Sequence, residues 1–242
     1  MKRILVASSV VLTLCSALTV HADLLADWTF ETSASTNNII ATGKTPAASQ
    51  SGVLADIGTG TGSASHATSS TWTIPAGNGS GHSWSVQNWA ANDFYQFAVS
   101  TIGFSGITLS YDQTGSATGP SHFYLSYSTD GSSYTVFGGT NSLLVNAAPN
   151  FTWNVTTPTN GYNFAYDLST VTALNNASTV FFRVTDADTV SLNGGTVAAG
   201  GTDRIDNFIV NASPIPEPST FAMALVGFAV LTTSVLRHRR SS

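Results

Sequence analysis

An all-β fold, two antiparallel sheets packed as a sandwich in jelly-roll order, is predicted for residues 23–213 of this 242-residue chain. Three observations predict it. No stretch of 12 residues there keeps helical apolar spacing, while β-branched and aromatic residues recur in short alternating runs between Gly, Ser, Asn and Asp clusters. The single cysteine, Cys15, precedes the segment, so a packed core rather than disulfides must hold it. About nine or ten short strands in one domain bury two inner faces most simply by stacking two sheets.

The strands are expected in this order. Leu24 to Glu31 opens the domain, and Thr59 to Ser70, rich in Ser, Thr and Gly, reads as a long surface loop before a strand at Ser70 to Ile74. Phe94 to Val99, Ile107 to Asp112, Ser121 to Tyr127 and Ser133 to Phe137 follow. Asp130-Gly131, between the last two, is a hairpin signal because both residues tolerate positive φ. Phe151 to Val155, Thr179 to Thr185 and Arg204 to Val210 complete the set, with one helical turn within Ser169 to Ala177. Along Thr179 to Thr185, Val180, Phe182 and Val184 share one face and Phe181, Arg183 and Thr185 the other, which assigns the first three to the core.

The two ends carry addresses rather than fold. Met1-Lys2-Arg3, an apolar run from Ile4 to Val20 and the small-residue site Val20-His21-Ala22 read as a signal peptide over 1–22, with the mature chain starting near Asp23. Acylation of Cys15 is the competing reading, disfavoured by the bulk of Leu14 beside it. At the far end, Pro-rich 214–218 precedes an apolar helix expected over 221–236 and then Arg237-His238-Arg239-Arg240. Such a helix spans about 24 Å, enough for a membrane with help from flanking residues, and the arginines would stay cytoplasmic. Between residues 4 and 236 only Lys44, Arg183 and Arg204 face 13 acids, a formal charge of −10, which excludes a nucleic-acid phosphate backbone as partner.

Ile-Pro-Glu-Pro-Ser-Thr at 215–220, with Pro216, Glu217 and Pro218 as its core, the apolar run and the Arg cluster together resemble the PEP-CTERM sorting signal. That resemblance implies processing by an exosortase, temporary anchoring in the inner membrane, cleavage near the motif, and release or attachment at the cell surface or in an extracellular, exopolysaccharide-rich matrix. An anchor that is never cut is the alternative. Tyr127 to Thr135, Asp27 to Glu31 and Arg204 to Val210 resemble the hairpin and the first and last strands of discoidin-like and carbohydrate-binding jelly rolls. In such modules the first and last strands can lie side by side and share a structural calcium. The resemblance therefore nominates Glu31 and Asp206 as calcium ligands.

Residue by residue, the chemistry favours binding over catalysis. Asp186, Asp188, Asp203 and Asp206 bracket one loop and are hard-oxygen ligands in type, without EF-hand spacing; the plain alternative is charge at loop ends. A glycosidase needs two flanking carboxyls, yet the body holds a single Glu before the tail. His66, His82 and His122 are available to a Ser-His-Asp arrangement, but no Gly-x-Ser-x-Gly occurs. Gly77 to Gly81 lacks the Lys and helix of a phosphate loop. Flat aromatic faces suit sugar rings, and among Trp72, Trp84, Trp89, Trp153, Tyr95, Tyr124 and Tyr127 the expected platform is Trp84 and Trp89, because Gly, Asn and Ser surround them. The expectation is a secreted, non-catalytic surface or matrix protein that adheres to or associates with exopolysaccharide or another glycan. The alternatives are a carbohydrate-binding module proper and a secreted glycoside hydrolase.

Overall fold

The computed structural model describes residues 22–32 and 47–216. The expected signal peptide, except Ala22, and the expected helix at 221–236 lie outside the described residues. Thirteen strands form among those described: β1 (Asp23–Trp28), β2 (Ala47–Leu54), β3 (Ile57–Gly58), β4 (Gly60–Ser70), β5 (Trp72–Thr73), β6 (Trp84–Gln87), β7 (Phe94–Val99), β8 (Phe104–Gly115), β9 (His122–Ser128), β10 (Thr135–Ser142), β11 (Asn163–Asp167), β12 (Val180–Asp186) and β13 (Thr202–Pro214). One sheet runs β11-β8-β13-β1-β3, with β6 also pairing β13 and β5 pairing β6; the other runs β10-β9-β12-β7-β4-β2. The pairs β6 with β13, β7 with β12, β8 with β11 and β9 with β10 are all antiparallel and nested in sequence, and successive nested pairs alternate between the two sheets. That nesting is a long hairpin rolled up, which is a jelly roll.

The alternation that assigned Val180, Phe182 and Val184 to the core holds, since all three are fully buried. Their row lies beside that of Tyr95, Phe97 and Val99 on neighbouring β7 and shares one core with Ile107, Leu109 and Tyr111 on β8 of the opposite sheet. Phe97 and Phe208 stack across the sheets at 3.8 Å, and the Trp28 ring meets Phe97 edge-on at 5.0 Å. Gly131 takes φ 72° in the β9–β10 connection, where the Asp130 carboxylate accepts the Ser132 and Ser133 N–H groups at 2.8 Å.

Two expectations are corrected. The segment Thr59 to Ser70 is no loop but lies almost wholly in β4, paired on both sides with β2 and β7. Its small residues leave room for Trp28, whose indole reaches across from β1: a Cβ at Gly60 would sit 2.5 Å from Trp28 Cη2. Phe151 to Val155 forms no strand. Trp153 is instead tucked against Tyr162 at 5.8 Å while Phe151 is 76% exposed. The helical turn expected near 169–177 is a single 3-10 turn at Thr172–Leu174.

Candidate functional site

Trp84 and Trp89 do not form a sugar platform. Trp84 is fully buried and Trp89 is 5% exposed. Pairing of β6 with the start of β13 turns Trp84 inward, between Trp72 at 5.4 Å and Tyr95 at 5.2 Å. Trp89 packs on His66 at 4.3 Å and donates its indole N–H to the Val86 carbonyl at 3.0 Å. With both faces covered, neither ring can stack on a ligand. Trp72, Trp153 and Tyr95 are buried as well.

An accessible aromatic patch lies on the outer face of the six-stranded sheet. Since Tyr95 and Phe97 point inward on β7, Phe94 and Gln96 point outward, and the same parity turns Tyr124 and Ser126 of β9 and Arg183 and Thr185 of β12 to that face. Register then sets two cross-strand rows, Gln96–Arg183–Ser126 and Phe94–Thr185–Tyr124. Tyr134 folds over them from the β9–β10 connection. A groove of about 230 Å³ results, lined by these side chains with Asn92 and Val136.

Arg183 organises this groove. Its guanidinium lies 3.9 Å from the centre of the Phe94 ring and 3.6 Å from that of Tyr134. Its Nε–H donates to Gln96 Oε1 at 2.8 Å, and that oxygen also accepts the Tyr134 hydroxyl at 2.6 Å. Among the described residues no carboxylate lies within ion-pair distance of Arg183. The guanidinium thus lies over two aromatic faces without an ion pair, a planar donor group of a kind suited to sugar hydroxyls. A larger cleft of about 490 Å³ between Leu54–Thr61 and Ala98–Ser100 contains no charged or aromatic side chain.

Glu31 and Asp206 are brought to one loop, residues 77–82. Asp206 is fully buried where β13 changes neighbours from β6 to β1. It accepts the Asn78 N–H at 2.8 Å, the Ser80 hydroxyl at 2.9 Å and the Asn207 N–H at 2.9 Å. Burial nevertheless raises its pKa to about 7, against the pull of those donors. Glu31 accepts the His82 N–H at 2.6 Å, and the Ser80 hydroxyl also donates to the His82 carbonyl at 3.1 Å. Two carboxylates, a hydroxyl and a carbonyl are the oxygen types that calcium takes. No group of three or more His, Cys, Asp or Glu gathers at one point among the described residues.

The histidines do not build a nucleophilic relay. His122 Nδ1 lies 3.1 Å from Ser121 Oγ and 2.9 Å from Asp188 Oδ2. His66 Nδ1 lies 3.3 Å from both Ser70 Oγ and Asp93 Oδ2. A relay needs the serine on one ring nitrogen and the acid on the other. Here both partners compete for the same one.

Residues 214–240 match the PEP-CTERM protein-sorting motif. Pro216 is exposed at the end of the described chain, whereas Glu217 and Pro218 lie outside it. No curated protein matches the chain. Among solved structures, it is similar to a Paenibacillus xanthan lyase at 15% identity over 57% of this chain and 11% of that one, with a TM-score of 0.33. The K1 cleaved adhesin domain of Lys-gingipain from Porphyromonas gingivalis is similar at 13% identity over 71% of this chain and 93% of that one, with a TM-score of 0.36. TmCBM61 in complex with β-1,4-galactotriose is similar at 13% identity over 52% and 69%, with a TM-score of 0.24. The chain spans about a tenth of the length of the lyase, 11%.

Proposed function

We propose that this is a secreted, exosortase-sorted, non-catalytic protein of the cell surface or extracellular matrix that associates with a glycan through the Arg183 groove. The sorting motif carries the first half of this reading: it begins at Pro214, the last residue of β13, so the folded body is followed at once by the address. In the reading, residues 1–22 direct export, 23–213 form the sandwich, and 214–242 hold the chain in the inner membrane until cleavage near Pro216-Glu217-Pro218. The intact mass of protein from an envelope containing the exosortase should then lack both ends. Recovery there of a product ending in Arg239-Arg240-Ser241-Ser242 would sink the sorting half.

The guanidinium of Arg183, without an ion pair and laid over Phe94 and Tyr134 in a groove shared with Tyr124, supports the glycan half. The shared-nitrogen geometry of His66 and His122 argues against a Ser-His-Asp hydrolase built on either ring. Affinity electrophoresis in gels cast with exopolysaccharide purified from the producing host tests the glycan half. Arg183→Gln should abolish retardation while its circular dichroism stays that of the folded body, and an equal retardation of both proteins refutes the groove as the contact. A calcium ion bridging the first and last strands also belongs to this reading. Glu31 and Asp206 would hold it, with the Ser80 hydroxyl and the His82 carbonyl, and its bound charge would offset the acidic body.

A further inference from the structure

At the opposite side of the core from the Trp28 contact, the inward rows of three strands stop being apolar. On β12, Val180, Phe182 and Val184 are continued by Asp186; on β8, Ile107, Leu109 and Tyr111 are continued by Gln113; on β13, Ile205 is preceded by Asp203. Asp186, Gln113 and Asp203 are each fully buried. Gln113 Nε2 donates to Asp203 Oδ1 at 3.1 Å, and the Tyr95 hydroxyl donates to the Asp203 backbone carbonyl at 3.4 Å. Asp186 Oδ1 receives a long contact from the Asp188 N–H at 3.4 Å, and the Ala187 N–H also favours the charged carboxylate. Three oxygens of this layer have neither a hydrogen-bond partner nor access to solvent: Asp186 Oδ2, Asp203 Oδ2 and Gln113 Oε1.

Buried carboxylates are ordinarily paired or bound to a metal, because an uncompensated charge in the interior is among the costliest groups a fold can hold. Burial raises both acids, Asp186 to about 7 and Asp203 well above the ordinary carboxylate range, and Asp186 is near enough to raise Asp203 further. Protonation would also neutralise the acids, each proton turning one orphaned oxygen into a donor for another. A doubly charged cation bound among them would take all three oxygens as ligands and cancel both charges. We propose that this layer is an interior site for a hard divalent cation of calcium type, held by Asp186, Asp203 and the Gln113 carbonyl oxygen. Since Asp186 belongs to the six-stranded sheet and Asp203 and Gln113 to the seven-stranded one, the ion staples the two sheets. It also closes the base of the 187–202 connection. This site is separate from Glu31 and Asp206, whose carboxylates face the 77–82 loop.

The test uses the detergent-solubilised full-length chain, stripped with chelator and titrated with calcium. At a hundredfold excess over Kd, calcium should raise the melting temperature by about 5 to 10 °C. Terbium bound in place of calcium should luminesce on excitation of the aromatic rings, since Tyr95 and Trp84 lie beside the layer. In Asp206→Asn a calcium response and the terbium signal should persist. The double variant Asp186→Asn with Asp203→Asn should lose the terbium signal and melt, in chelator, no lower than wild type. If that variant fails to fold, Gln113→Met keeps both acids and should weaken calcium at least tenfold. Unchanged affinity in Gln113→Met, or a response that vanishes in Asp206→Asn alone, overturns the proposal. So does the absence of any metal response together with stability that climbs as pH falls below about 7. In that case a proton fills the layer, with Tyr95 and Asp93 from the β7 side, Asp188 beyond β12 and Arg204 beside Asp203 as the other groups that sense it.

Discussion

Replacing Gly60 by alanine probes the packing of the two sheets at one atom. Gly60 does not have a positive φ, so an alanine there meets no backbone penalty and its effect is purely steric. The added Cβ would lie 2.5 Å from Trp28 Cη2, 2.6 Å from Trp28 Cζ2 and 2.9 Å from the Ala98 carbonyl oxygen. Non-bonded carbons rest about 3.5 to 4.0 Å apart, so the indole must retreat by about 1 Å. It cannot do so freely: its N–H is bonded to the Val53 carbonyl at 3.0 Å, and Phe97 and Phe208 sit at 5.0 and 5.9 Å. Overpacking of this kind costs about 1 to 3 kcal/mol. In a body of this size about 2 kcal/mol lowers the melting temperature by about 4 to 8 °C. In a Trp28→Phe background the obstructing ring edge is gone, and Gly60→Ala should cost at least about 1 kcal/mol less. Thermal melts of the four proteins of this cycle, followed by circular dichroism, measure both numbers. An unshifted Gly60→Ala, or the same loss in both backgrounds, refutes the account of β4 as a strand hollowed out for Trp28.

Phe182→Ala should destabilise by about 3 to 5 kcal/mol in a denaturant titration, because the ring is wholly buried; a loss below about 1 kcal/mol would contradict its place between the sheets. Calcium should raise the melting temperature of wild type more than that of Glu31→Gln or Asp206→Asn, with magnesium doing little, and equal shifts in all three would leave those acids as hydrogen-bond acceptors of the 77–82 loop. His66 is buried and its pKa is lowered to about 4 by desolvation. The unfolded chain takes up this proton near pH 6.5 and the folded one only near 4, so its contribution is complete above pH 6.5 and is lost as pH falls to 4. Relative to His66→Gln, wild type should lose on the order of 3 kcal/mol across that window, and parallel pH profiles for the two would show that the ring titrates freely.

Where a strand carries its own inward side chains, alternation located it: β7 is found to the residue, and β12 within one. The strand β4 escaped because its inward volume belongs to another strand. Gly60 and Gly62 leave a slot that Trp28 fills, so local pattern reads as loop what pairing makes a strand. Polar neighbours misled at Trp84 for a related reason: residues 77–82 are polar because they hydrogen-bond Asp206, not because they surround an exposed ring. The outward placement of Arg183 was legible from the parity of β12. Its company was not, because Phe94, Gln96 and Tyr124 reach it only through the register of β7 and β9 on either side. Gln113 was overlooked since a glutamine near a strand end carries no chemical signature until its orphaned oxygen is seen between two buried acids.

The longest strand, β13, also decides how the body would bear tension. It ends at Pro214, where the sorting motif begins, and it is flanked by β8 on one side and by β6 and then β1 on the other. A pull on a C-terminal attachment therefore enters along the axis of an interior strand, with ladder hydrogen bonds lying across the line of force on both edges. Such bonds are loaded together and must fail in concert, as in shear, instead of peeling one by one as at an outer strand. A body hung from this point presents its most interlocked element to drag, while the Arg183 groove, carried on the other sheet, is spared the load.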